Sequence, residues 1–262
     1  MNSECYIADT VRCILSQSYP NIEHIVIDAC STDKTLEIIK EMSPETLIIS
    51  EPDDGISDAF NKGVRLAKGE IIAILNSDDY YTDEDVIERV VKEYEQDAEL
   101  KILYGNVRYI DADSGETVMT RGRSFSSGSL KDVIESICFP AFFVRKGVYE
   151  EIGYYSLKLR CAMDLDFFLR ASKKYELRHL DEELAIMRWG GFSTENIFRG
   201  HRETYRIFRS NGMPAFSAAL DVFTRYVTTC MSLAMQRLGL TRAVLLYRRR
   251  YRGGTKSMRS GW

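Results

Sequence analysis

Apolar and polar residues alternate with two periods along the first hundred residues. Short apolar runs at 23–28 (EHIVID), 46–50 (TLIIS) and 70–75 (EIIAIL) have the length of strands. Between them, 32–42, 56–69 and 82–97 carry apolar residues at helical spacing. Ser31 or Thr32 is placed to cap the first helix, Gly69 to close the second and Thr82 to cap the third. Strand and helix in alternation predict an α/β domain whose mostly parallel sheet is flanked by helices.

Beyond Lys101 the rhythm changes. The run KILYGNVRYIDADSGETVMTR predicts strands joined by a turn at Asp113-Ser114-Gly115. A strand and short helix are expected over 139–155, an amphipathic helix over 164–175, then two strands, LRHLD and LAIMRW. After GGFST (190–194) the chain reads as helices. There is no internal repeat and no low-complexity linker. The expected organisation is an α/β domain over 1–212 with a basic, helical extension over 213–262.

The 262 residues, 45% hydrophobic, suffice for one sizeable core and exclude a disordered chain. The net charge of −4 conceals an asymmetry: from Val222 onward there are nine Arg and Lys and no acidic residue, leaving −13 on the rest. A basic tail on an acidic body points to a polyanionic surface, and membrane headgroups are favoured. Nucleic acid is not expected, because no basic surface interleaved with aromatics occurs elsewhere. Six scattered cysteines without a C-x-x-C pair suggest a reducing, intracellular setting. The first 20 residues lack the apolar core of a secretion signal, and no run of 18 apolar residues exists. His24, His179 and His201 are too dispersed for a histidine metal site.

In open α/β sheets ligands bind beyond the carboxyl ends of the strands. Asp28 ends the first predicted strand, SEPDDG the second, and Asn76-Ser77-Asp78-Asp79 the third. Adjacent carboxylates repel unless water solvates them or a cation lies between them. Magnesium or manganese is commonly held by one or two carboxylates, with phosphate and water completing the shell. Asp79 could instead simply start the next helix. Asp58 and Asn61, three apart after Gly55, share a face near a helix N-terminus suited to anionic or hydroxyl-rich ligands; complementing the helix dipole is the alternative. Asp164 precedes a helix it could cap, with Asp166 nearby. Arg188-Trp189-Gly190-Gly191 is either a closing loop or an ordinary turn.

Taken together and in order, SQSYPNIEHIVIDACSTDKTLEII, SEPDDGISDAFNKGVRLAKGEIIAILNSDDYY and CAMDLDFFLRASKKY…LDEELAIMRWGGFST resemble the family 2 glycosyltransferases of GT-A-type fold, as found in bacterial surface-polysaccharide synthesis. The resemblance spans roughly residues 2 to 210. It implies an inverting, metal-dependent transferase acting on a nucleotide-diphosphate sugar and a glycan or lipid-linked acceptor. Asp28 would lie near the base, followed by the Ser31-Thr32-Asp33 turn; Asp58 and Asn61 would lie near ribose and diphosphate. Asn76, Ser77 and Asp78 would occupy the D-x-D position. Asp78, with Asp79 beside it, would hold Mg²⁺ or Mn²⁺, and Asp164 would be the catalytic base.

Two departures stand out. The apolar first strand usual in such enzymes is missing, which implies a start codon assigned too late or a truncated chain. It also predicts unpaired strand edges. Phe139-Pro140 stands where relatives often carry a His. The alternatives to the transferase are a truncated, non-catalytic nucleotide-sugar binder and a nucleotidyltransferase. The latter lacks its Gly- and Lys-rich phosphate loop. The amphipathic, Arg-bearing C-terminal segment suggests peripheral contact with the cytoplasmic face of the inner membrane; a helix packed on the body is the alternative.

Overall fold

A computed structural model describes residues 1–125, 133–134, 136, 139–189 and 196–237. The order is α1 (Ile7–Leu15), β1 (Ile25–Asp28), α2 (Thr35–Met42), β2 (Leu47–Ser50), α3 (Ile56–Leu66), β3 (Ile71–Ala73), β4 (Tyr80–Tyr81) and α4 (Val86–Gln96). Then follow β5 (Ile102–Asp111), β6 (Thr117–Arg121), β7 (Phe142–Arg145), α5 (Lys146–Ile152), α6 (Met163–Ser172), β8 (Leu177–Trp189), α7 (Ile197–Ser210) and α8 (Ala215–Arg237).

The strands form two sheets. β1 and β2 pair in parallel, Asp28 opposite Ser50. The other six run β3-β7-β5-β8-β4, with β6 on β5. The sheet is mixed rather than mostly parallel: only β1–β2 and β5–β8 are parallel, and the other four pairings are antiparallel. The βα alternation of the first hundred residues suggests parallel neighbours, but β3 takes β7, a strand from the second half of the chain. Among the described residues no strand joins β1 to β3.

Other contacts bridge that gap. Glu23, just before β1, accepts the backbone N–H groups of Lys68 and Gly69, just before β3 (2.6 and 3.2 Å). α3 packs on β1, and Gly63 lies against Ile27.

The main core gathers β5, β7, α5, α6 and α7, with Tyr104, Tyr149, Phe167, Phe168 and Phe208 fully buried. Such aromatics dominate burial energy, each worth roughly 1.5–3 kcal/mol. A second cluster lies beneath α4 and the other face of β5 and β8; a third joins α1 to α2. Met213 and Ala218 belong to the main core, so α8 starts as part of the body rather than as a loose extension. Residues beyond Arg237, where most of the basic tail falls, lie outside the described residues.

Candidate active site

Asp28 is buried at the end of β1. Burial works against its ionisation. The N–H and hydroxyl of Ser31 and the hydroxyl of Ser50 (2.7 Å) donate to it and outweigh burial, so its pKa lies below the ordinary value. The carboxylate therefore stands charged where the two parallel strands end.

The 76–79 turn follows β3. Asn76 donates its side-chain amide to Asp79 (2.8 Å), and the Ser77 hydroxyl meets that of Ser3 (2.6 Å). Asp78 is half-buried, whereas Asp79 is wholly buried at 0% exposure. Burial raises the pKa of Asp78, although the Arg188 guanidinium opposes the shift. Burial and the neighbouring Asp78 charge raise that of Asp79 well above the usual range.

Residues 2–4 tie this turn to β1. The Asn2 N–H donates to Ser31 Oγ (2.8 Å), itself a donor to Asp28, while Ser3 reaches Ser77. Asn2 Oδ1 accepts from the Thr32 N–H (2.9 Å), and the Glu4 N–H donates to Asp33 (3.0 Å). Residues 2–4 thus link the end of β1 to the turn that follows β3.

Whether the turn suits a divalent cation is decided by its oxygens. Asp79 Oδ1 is buried and has no hydrogen-bond partner among the described residues. A buried polar atom left unpaired is costly, and a cation removes that cost. No three His, Cys, Asp or Glu gather around a metal-sized space among the described residues. Asp78 and Asp79 would therefore be the protein's share of ligands, which fits Mg²⁺ or Mn²⁺ completed by phosphate and water.

Asp58 lies in the first turn of α3, accepting the Asp54 N–H (3.1 Å) and pairing with Lys62 (3.2 Å). Both interactions hold its pKa low. Asn61 is buried with both ends of its amide engaged: it donates to the Tyr155 carbonyl and accepts the Tyr155 N–H, each at 2.9 Å. It braces α3 against the 153–162 segment, with both ends of its amide taken up by Tyr155 instead of being free for a donor. Ser57 donates to the Leu159 carbonyl (3.1 Å) on the same face. Gly55, with φ of 100°, leaves room for the Arg160 guanidinium; a Cβ there would lie 2.0 Å from Arg160 Nη1. α3 is therefore one wall with two sides, β1 on one and the segment leading to Asp164 on the other.

Asp164 sits in the first turn of α6. Its Oδ1 accepts the Leu165 N–H (2.8 Å), and Oδ2 has no partner among the described residues. Burial pushes the carboxyl up to about 6; the Leu165 N–H opposes the shift and the charge of Glu203 adds to it. Asp166, the competing candidate, is tied to Arg170 (2.9 Å).

Two more residues shape the site: Glu203, which carries no signal in sequence, and Arg188, whose role is to brace the 76–79 turn rather than to form a closing loop. Glu203 on α7 is 3% exposed and accepts the N–H groups of Arg160, Cys161 and Ala162 (3.1, 2.8 and 3.1 Å) and the Arg199 Nε (3.1 Å). One carboxylate thus shapes the turn that delivers Asp164. Arg188, at the end of β8, donates to the Asp78 carbonyl (2.7 Å) and pairs with Asp9 (2.6 Å) between the rings of Tyr6 and Tyr80. It locks the 76–79 turn from behind. Trp189 lies edge-on to Tyr109, and Gly190 and Gly191 lie outside the described residues. Phe139 fills the place noted for a His and packs among Phe60, Phe142 and Tyr155.

The family model of glycosyl transferase family 2 matches residues 1–153. The chondroitin synthase of Pasteurella multocida (strain Pm70) is 30% identical over 187 residues, covering 69% of this chain and 19% of the synthase. A PGL/p-HBAD biosynthesis glycosyltransferase of Mycobacterium bovis (strain BCG / Pasteur 1173P2) is 32% identical over 166 residues, 60% of each chain. The chain thus spans less than two thirds of the length of these relatives. Among solved structures, S. aureus TarS 1-349 aligns with a TM-score of 0.61 at 18% identity, covering 84% of this chain and 66% of that one. The mannosyltransferase PcManGT from Pyrobaculum calidifontis, in complex with GDP-Man and Mn²⁺, aligns with a TM-score of 0.61 at 17% identity, covering 94% and 78%. These likenesses give the fold as the GT-A type. The match covers more than half of the residues, and the chain belongs to glycosyl transferase family 2.

Proposed function

We propose that this protein is an inverting glycosyltransferase. It moves a sugar from a nucleotide-diphosphate donor to an acceptor hydroxyl on a growing, lipid-linked surface glycan. The observation that carries the reading is the link through residues 2–4 between the charged Asp28 and the Asp78-Asp79 turn, with an unpaired oxygen on Asp79. Family membership and neighbours solved with UDP-GlcNAc and with GDP-Man support a nucleotide-sugar donor.

Asp28 and the Ser31-Thr32-Asp33 turn receive the nucleoside, with Asp58 and the α3 N-terminus towards the diphosphate. Asp78, backed by Asp79, holds Mg²⁺ or Mn²⁺. The cation, when bound, supplies positive charge opposite the departing nucleotide diphosphate. Asp164 works on the acceptor side. Its Oδ1 is fixed by the Leu165 N–H, so Oδ2 accepts the proton of the acceptor hydroxyl. That oxygen attacks the anomeric carbon from the face opposite the diphosphate, the carbon–oxygen bond to the diphosphate breaks, and the configuration inverts.

The setting is the cytoplasmic face of the inner membrane. What supports it is α8, whose exposed Phe216, Leu220, Phe223, Val227 and Met231 fall at helical spacing. No helix among the described residues is long and apolar enough to cross a membrane, so the contact would be peripheral.

The test is release of nucleotide from a panel of UDP- and GDP-sugars with Mn²⁺, alongside donor binding by calorimetry. Asp78→Ala is expected to abolish Mn²⁺-dependent donor binding. A protein that neither binds nor turns over any of these donors overturns the reading. Binding without turnover, also with acceptor extracts, would favour a nucleotide-sugar-binding protein; the open edge between β1 and β3 is the observation behind that second reading.

A further inference from the structure

A cavity of about 350 Å³ lies between α7 and the 156–160 loop, lined by Lys158, Phe198, Arg199, Arg202, Glu203 and Arg206. That volume falls within the usual range of small-molecule sites, roughly 300–1,000 Å³. Arg199, Arg202 and Arg206 stand at i, i+3 and i+7, so α7 presents them along one face. Lys158 meets them from the loop.

The charge in this cavity is not balanced. Lys158, Arg202 and Arg206 have no carboxylate partner among the described residues. The carboxylate in the lining, Glu203, is already occupied by three backbone N–H groups and Arg199. An acidic protein of net charge −4 thus keeps three uncompensated cations around one concavity. These side chains are exposed, so water screens their mutual repulsion, and an anion seated among them could accept hydrogen bonds from several at once.

The position adds a second, independent observation. Glu203 forms the wall between this cavity and the turn 160–162, two residues before Asp164. The cavity therefore adjoins the side of α6 where the acceptor hydroxyl would be deprotonated, and not Asp28 or the 76–79 turn.

We propose that this cavity is an anion subsite for a phosphate group carried by the acceptor, with Arg202, Arg206 and Lys158 as its binding residues. The inference rests on the glycosyltransferase reading for its acceptor, but binding of phosphate does not. The phosphate could belong to a soluble phosphorylated sugar or to a lipid headgroup, and both present the same oxygens to the guanidinium groups.

The experiment uses the full chain in EDTA, so that cation-dependent binding at the donor site is silent. Inorganic pyrophosphate is titrated by calorimetry, and vesicles of phosphatidylcholine with phosphatidylglycerol are tested by co-sedimentation. Arg202→Gln with Arg206→Gln, and separately Lys158→Gln, are compared with the parent and with Asp78→Ala. The expected result is at least about a tenfold loss of pyrophosphate affinity in the arginine double variant and a smaller loss for Lys158→Gln, with Asp78→Ala unchanged. A loss confined to the vesicle arm would assign the phosphate to a lipid headgroup. Unchanged binding of both probes in the double variant, no binding of either by the parent, or an equal loss in Asp78→Ala would overturn the proposal. Mn²⁺-dependent donor binding, measured on the same variants, reports on the transferase reading separately.

Discussion

Asp164 and Glu203 sit on neighbouring helices and do opposite things with a buried negative charge. Glu203 spends its charge on three consecutive amides and Arg199, whereas Asp164 accepts one N–H and keeps Oδ2 free. With its pKa raised to about 6, Asp164 binds more protons in the folded than in the unfolded chain between pH 3.8 and 6. Stability from this residue is therefore lost as pH rises through that window. Activity should run the other way, rising through pH about 6 as the base ionises. Asp164→Asn is expected to lower turnover by roughly 10²–10⁴-fold while raising Tm at pH 7. The gain should be about 2–4 °C for each kcal/mol relieved, and should vanish below pH 4, as read by scanning fluorimetry across pH. For Glu203 the expectation is reversed. Glu203→Ala orphans three N–H groups and should cost about 3–5 kcal/mol in urea unfolding, whereas Glu203→Gln keeps a neutral acceptor and should recover much of that. Turnover should follow the turn, falling in Glu203→Ala with the donor KM little changed. Nothing in FRGHRETYRIFRS marks Glu203 as different from the other polar residues of α7, because its partners are backbone groups some forty residues away. Asp28, Asp78 and Asp164 were legible because each follows or starts an element whose periodicity is clear.

At the scale of elements, the apolar runs located the strands but not their limits. β3 is only Ile71–Ala73, because the chain must leave the sheet to build the Asn76–Asp79 turn. Thr82 does not cap α4; its hydroxyl is taken by the Glu183 carbonyl of β8 (2.9 Å), and the helix begins four residues later. Asp33, rather than Ser31 or Thr32, receives the Thr35 N–H at the start of α2 (3.0 Å). LRHLD and LAIMRW are one strand, β8, whose polar middle passes irregularities in register against β5 near Asn106. In each case a partner distant in sequence overrides a local signal. Asn61 is another such partner, and it joins α3 to the Asp164 side. Asn61→Ala leaves the Tyr155 backbone unpaired and should cost about 1–3 kcal/mol in chemical unfolding. α8 presents the opposite situation: its inner side joins the core through Ala218, yet Phe216 is 80% exposed. Phe216→Ser with Phe223→Ser should lower partition into anionic vesicles by at least about tenfold without altering the melting transition.

For the whole molecule, the division of the sheet matters more than any single strand. The acidic end of β1 and the acidic turn after β3 are linked through residues 2–4, yet belong to sheets that share no hydrogen-bond ladder among the described residues. The two sheets are held together by Glu23 at one end, by residues 2–4 at the other, and by α3 along the side. Periodicity could place β1 and β3 as strands, but strand pairing is decided by partners distant in sequence. It could not foresee that a few side chains would join the two sheets. The consequence is kinetic: opening β1 and β2 as a unit would break these side-chain contacts but no hydrogen bond of the ladder from β3 to β4. Amide hydrogens of Ile25–Asp28 and Leu47–Ser50 should therefore exchange with deuterium faster than those of Ile102–Tyr104 in the central sheet. A donor that touches both Asp28 and the 76–79 turn should slow the first set and leave the second unmoved, so the spacing of the two sheets would be set by what binds between them.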